Sequence, residues 1–175
     1  MLIPELRKQE IANQLLAFTE KEVSNFLTEH PDEKFYAFAF DCNAEYGEVN
    51  LCFNTEEVFR ETLNDYQSEY PSDYQDENNV LDLKYNTGDW EYQCFATTYI
   101  MDEDEMNALY EEDVDEQLTD FMEIFYQVLA DFRESSVYAA IPKTDVFKLV
   151  CLDHDEDVLE GIEAFDAFLE KKNKR

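Results

Sequence analysis

The chain has 175 residues, 45% hydrophobic and 15% aromatic, and 43 acidic against 13 basic side chains give a formal net charge of −30. So much apolar surface excludes a disordered acidic tail, and the sign of the charge disfavours direct binding of nucleic acid, whose affinity comes from lysine and arginine. Three glycines and four prolines leave no flexible linker, so residues 1–175 read as a single domain.

In chain order, Pro4 suits a first-turn position, and Ala12, Leu15, Leu16, Thr19, Val23, Phe26 and Leu27 recur at helical spacing, predicting a long amphipathic helix over 4–29. The run KFYAFAFDC at 34–42 is apolar on both faces, as a central strand is. A turn at 43–47 leads to a second strand at 48–53, with Val49, Leu51 and Phe53 on one face, so the two strands form a hairpin. Asn54 and Glu57 have capping-box spacing. Phe59, Leu63, Tyr66 and Tyr70 continue one helical face until Pro71 stops it.

Residues 71–79 are polar and irregular, after which Leu81, Leu83 and Tyr85 alternate as a third strand. Asn86, Thr87, Gly88 and Asp89 supply turn chemistry, and 90–100 returns as a fourth. The acidic stretch 101–113 has room for one short helix. Val114, Leu118, Phe121, Phe125, Val128 and Phe132 then repeat at intervals of four and three, the strongest helical pattern in the chain. A fifth strand is expected at 146–152. Val158, Ile162, Phe165 and Leu169 mark a closing helix whose basic end, 171–175, suits the negative helix terminus. The expected architecture is α+β, a mainly antiparallel sheet of about five strands flanked by about four helices.

The opening helix, the FYAFAFD strand, the turn with Gly47, the NTEE helix start at 54–57 and above all the expected YNTGDWEY hairpin at 85–92 resemble the bacterial domain of unknown function 4303. The resemblance spans nearly the whole chain and implies a small bacterial single-domain protein. It carries no catalytic residues to transfer, and its implied setting near toxin systems makes an immunity role an expectation from context.

Residues 1–10 lack a signal peptide's apolar run, and nowhere do about 18 apolar residues stand together, so the expected compartment is the cytoplasm. Cys42, Cys52, Cys94 and Cys151 show no paired spacing and read as reduced core thiols. His30 and His154 lack the spacing to a cysteine or serine expected of a base and its nucleophile. No P-loop, GxGxxG or HExxH is present. Asp153, Asp155 and Asp157 alternate as in a calcium loop, but its sixth position is Val158 rather than glycine and its twelfth Ala164 rather than glutamate. These acids, like those at 102–105, read first as helix-start carboxylates, a looser divalent site being the alternative. Trp90 and the tyrosines near it read as core or sheet-face residues. No catalytic residue, metal ligand or cofactor is assigned, and an enzyme is not expected.

The charge itself is lopsided. Between Arg60 and Arg133 stand 21 acidic side chains and one basic one, Lys84, whereas a small domain needs a net charge of roughly 2 to 8 for solubility. Excess beyond that adds self-repulsion and asks for a partner of opposite sign. Two segments concentrate it: Asp65, Glu69, Asp73, Asp76 and Glu77 around Tyr74, and Asp102, Glu103, Asp104, Glu105, Glu111, Glu112 and Asp113 around Tyr110. Tyr66 and Tyr70 continue the apolar stripe of their helix and read as half-buried, which makes Tyr74 the better contact residue, since tyrosine buries area and keeps a hydroxyl. Together the two segments are the expected surface for one basic protein, a nucleic-acid-acting toxin that an inhibitor or immunity-type protein would occlude. A DNA mimic, a metal-dependent or small-molecule-binding enzyme, and a soluble structural subunit are the other readings.

Overall fold

The computed structural model describes residues 3–110, 114–154 and 156–174. In chain order the elements are α1 (Glu5–Glu29), β1 (Phe35–Asn43), β2 (Glu48–Thr55), α2 (Glu56–Glu69), α3 (Glu77–Tyr85), β3 (Tyr92–Tyr99), α4 (Glu103–Tyr110), α5 (Val114–Phe132), α6 (Ser136–Ala140), β4 (Lys143–Asp153) and α7 (Val158–Asn173). The strands form one sheet in the order β3-β2-β1-β4. β1 pairs antiparallel with β2, and β2 antiparallel with β3, but β1 and β4 run parallel. The fold is α+β as expected, yet the sheet has four strands rather than five and is mixed, and the described residues hold seven α-helices rather than four.

Alternation along β1 builds two apolar layers. Phe35, Phe38 and Phe40 face a larger cluster with Leu15, Val23 and Phe26 of α1, Phe121, Phe125 and Phe132 of α5, and Met106 of α4. Ala37 and Ala39 face a smaller one with Phe59 of α2, Leu83 of α3, Trp90 and Val150. The register of β1 against both neighbours shifts between Phe35 and Ala37, and this bulge turns Tyr36 into the smaller cluster beside Ala37. α7 lies along β4 and serves both layers, with Phe165 in the larger and Ile162 against the smaller.

The missing strand is α3. Asp76 accepts a hydrogen bond from the Asn78 N–H at 2.8 Å and caps it. Leu83 is buried with Val80 packed beside it, three residues apart as a helix face requires, while Leu81 stays 43% exposed. An alternating strand would have put Leu81 and Leu83 on the same face.

Two local readings also shift. The α2 cap is Thr55, whose hydroxyl accepts from the Val58 N–H at 3.3 Å, because Asn54 is buried and otherwise engaged. Its amide donates to the Tyr36 hydroxyl at 3.1 Å and its carbonyl oxygen accepts from the Glu91 N–H at 3.3 Å. Cys42, Cys52 and Cys151 are buried free thiols, as expected, but Cys94 is exposed.

Lys8 of α1 is a buried charged residue. Its ammonium lies 2.5 Å from Asp120, both side chains nearly inaccessible, and the Ile3 N–H donates to the other Asp120 oxygen at 3.1 Å. Burial pulls the Lys8 ammonium down, and the Asp120 carboxylate more than restores it, so its pKa stands above the ordinary lysine value.

Candidate functional site

The polar chain between α2 and α3 folds back because Pro71 cannot continue α2 and Asp76 restarts a helix. This brings Tyr70, Asp73, Tyr74, Asn79 and Asp82 around one cleft of about 380 Å³. The Asn79 amide donates to the Asp73 carbonyl at 2.8 Å, and the Gln67 amide donates to the Tyr74 carbonyl at 3.1 Å, which fixes the reversal. Tyr66 anchors it from below: its hydroxyl donates to Asp89 at 2.9 Å, and its ring meets Tyr74 edge-on with centroids 5.1 Å apart.

Among the described residues, the cleft lining carries two aspartates and no basic side chain. Among the described residues, Asp73, Asp82 and Asp89 make no ion pair. Lys84 is already committed to Glu56 at 3.0 Å and lies 4.7 Å from the Tyr36 ring centre and 5.1 Å from that of Phe59. Burial first, then repulsion from Asp157 and Asp89, pushes the Asp82 carboxyl above the usual range. Burial followed by the fields of Asp89, Asp82 and Asp73 pushes the Tyr74 phenol up in the same way. The part of these shifts that comes from Asp157, Asp89, Asp82 and Asp73 reflects a negative field. Two phenol rings beside carboxylates also suit a guanidinium or ammonium, which is attracted to ring faces as well as to charge.

The structure sorts the expected partner-binding residues. Asp73 and Tyr74 line the cleft. Asp65 and Glu69 are exposed on α2, Asp76 caps α3, and Glu77 stands exposed in the first turn of α3. Tyr70, expected to be half-buried, is 46% exposed, whereas Tyr74 is the half-buried ring, the reverse of the assignment from the helical stripe. Asn79 falls in the stretch expected to be irregular and Asp82 in the one expected to be a strand, so the sequence singles out neither. The signal for α3 was present in Asp76 preceding Glu77, a helix-start pair.

The second acidic segment lies on the other side of the sheet. Met106 of α4 packs in the larger layer, while Tyr66 and Tyr74 pack against the smaller one. The two segments therefore do not form one face. Asp102 and Glu105 are partly consumed locally, since the Asp102 carboxylate accepts from the Glu105 N–H at 2.9 Å and Glu105 returns the bond to the Asp102 N–H at 3.3 Å. Glu105 also meets Arg7 at 2.7 Å. Glu103 and Asp104 are exposed in the first turn of α4. Tyr110 ends that helix, and Glu111, Glu112 and Asp113 lie outside the described residues.

Among the described residues, the set of donor atoms that converges as a metal requires is Asp41, Cys52 and Cys94, at neither of the acidic runs weighed from sequence.

The chain matches the family described as Domain of unknown function (DUF4303) over residues 15–167. It belongs to the DUF4303 family. The match covers the sheet, all seven α-helices in whole or part, and the α2–α3 cleft of this DUF4303 domain. No curated protein and no solved structure matches the chain. No helix among the described residues of the DUF4303 domain is long and apolar enough to cross a membrane.

Proposed function

We propose that this DUF4303 domain is a cytoplasmic binding protein of the inhibitor or immunity type, which occludes a basic partner acting on nucleic acid and does no chemistry of its own. The α2–α3 cleft receives an arginine or lysine side chain of that partner. The observation that carries this reading is the convergence of Tyr70 and Tyr74 with Asp73 and Asp82 around an open cleft whose described lining holds no basic residue. A partner that binds phosphates presents arginine and lysine in the geometry that carboxylates can also satisfy. The surrounding negative field accelerates encounter, an effect that falls as salt rises.

The test is fluorescence anisotropy with a labelled arginine-rich peptide, on the wild type and on two variants that each remove one charge, Asp82→Asn inside the cleft and Asp65→Asn outside it. The reading predicts binding that weakens about tenfold between low and physiological salt. It also predicts a loss of about fivefold or more for Asp82→Asn, against less than about twofold for Asp65→Asn. Binding indifferent to salt, or equal losses at the two aspartates, would contradict it.

A further inference from the structure

The edge strand β3 departs from its ladder at one place. Leu51 pairs with Ala96 and Phe53 with Tyr92, so Gln93, Cys94 and Phe95 stand opposite Cys52 alone. A bulge of this kind re-aims side chains, and bulges gather near functional sites. Its central residue, Cys94, has φ 46°, the left-handed region that side chains other than glycine seldom occupy, and it is the one described non-glycine residue with positive φ. The distortion brings the Cys94 sulfur over Cys52, and its own backbone N–H donates to the Cys52 Sγ at 3.2 Å. Asp41, two residues beyond the Ala39 that pairs with Cys52, shares this side of the sheet. One carboxylate oxygen of Asp41 and the two sulfurs all lie within 4.8 Å of one another.

We propose that Asp41, Cys52 and Cys94 form a zinc site, with two thiolates and one carboxylate as ligands and a fourth position open to solvent beside exposed Cys94. Thiolate sulfur selects a borderline-soft ion over calcium or magnesium, and three protein ligands with one free position is the pattern of zinc sites that exchange a ligand or bind water. The surroundings supply the outer groups such a site uses. The Thr87 hydroxyl donates to Asp41 Oδ2 at 2.8 Å and orients the carboxylate, and the Cys94 N–H already directs a donor at the Cys52 sulfur. Binding exchanges two thiol protons for one Zn²⁺, so two protons are released per ion bound. The site is independent of the acidic cleft, since it lies on the β1–β2–β3 strands and uses none of the cleft residues.

The experiment titrates reduced, full-length protein with Co²⁺ as a spectroscopic stand-in for Zn²⁺, then displaces it with Zn²⁺. One equivalent of Co²⁺ should produce thiolate-to-cobalt charge-transfer absorption that Zn²⁺ abolishes. Cys94→Ser, at an exposed position that leaves the core intact, should remove that absorption and weaken Zn²⁺ binding at least about tenfold, and Asp41→Asn should also weaken it at least about tenfold, the least that loss of even an outer partner costs. Circular dichroism confirms that each variant is folded. Absence of the charge-transfer band in the wild type, or its survival in Cys94→Ser, overturns the assignment. So does a count of two free thiols rather than four in protein isolated without reductant, since a Cys52–Cys94 disulfide would then occupy the place of the metal.

Discussion

Single side chains decide several features of this domain, and Lys8 is the sharpest case. With Asp120 it forms a buried pair, and removing the ammonium leaves the Asp120 carboxylate buried without its counter-charge. Lys8→Met is therefore expected to destabilise the fold by about 3–5 kcal/mol in denaturant titration. A loss below about 1 kcal/mol would show that Asp120 finds water. Gly47 is a second case: at φ 63° it closes the β1–β2 connection, and a Cβ there would sit 3.1 Å from Ile100 Cγ1. Gly47→Ala should cost about 1–2 kcal/mol, and an unchanged midpoint would contradict that. The need for glycine at that turn is legible in sequence. Asn54 is not, because its value as a cap and its value as a buried bridge between Tyr36 and Glu91 look identical until β1 and β3 are placed beside it.

At the scale of elements, the long amphipathic helices α1, α5 and α7 and the apolar strands β1 and β2 follow from periodicity, since each buries one stripe or both faces. The segment at α3 is where periodicity misleads. Leu81, Leu83 and Tyr85 alternate over a window too short to separate period two from period 3.6, and only the packing of Val80 and Leu83 together settles the matter. β4 is recognisable as a strand, but its parallel pairing with β1 depends on α4, α5 and α6 carrying the chain across the larger layer to the opposite edge. α3 also sets the cleft, so its cap is a test of both. Asp76→Ala should lose about 1 kcal/mol of stability, measured as a lower denaturant midpoint, and weaken peptide binding at the cleft. Full binding with an unchanged midpoint would mean that the cap holds nothing in place.

For the whole molecule, the decisive quantity is the charge of −30 and where the fold puts it. The sequence shows that acid dominates residues 61–132, but only the sheet shows that its two densest runs fall on opposite layers. Asp82, Glu91 and Glu156 all have carboxyls raised by burial first. A carboxyl that is raised in the folded state holds its proton to higher pH there than in the unfolded chain, so these three add stability as pH falls from neutral through their folded values. The gain is complete below the ordinary carboxylate range. Among the described residues, Glu22, lowered first by its bond with Lys21, acts in the opposite direction. Mild acidification from pH 7 to about 5 should therefore raise the thermal midpoint, as should added salt at pH 7 through screening of like charges. A midpoint that falls steadily over that interval would contradict this balance.

The central claim is that the α2–α3 cleft is the place where a basic side chain is taken up. The most direct measurement is a titration of isotope-labelled DUF4303 domain with an arginine-rich peptide, followed by backbone amide chemical shifts residue by residue. The account predicts that the largest shifts gather at Tyr70, Asp73, Tyr74, Asn79 and Asp82 and shrink as salt is added. Shifts spread evenly over the acidic surface, or centred on α4 across the sheet, would contradict it.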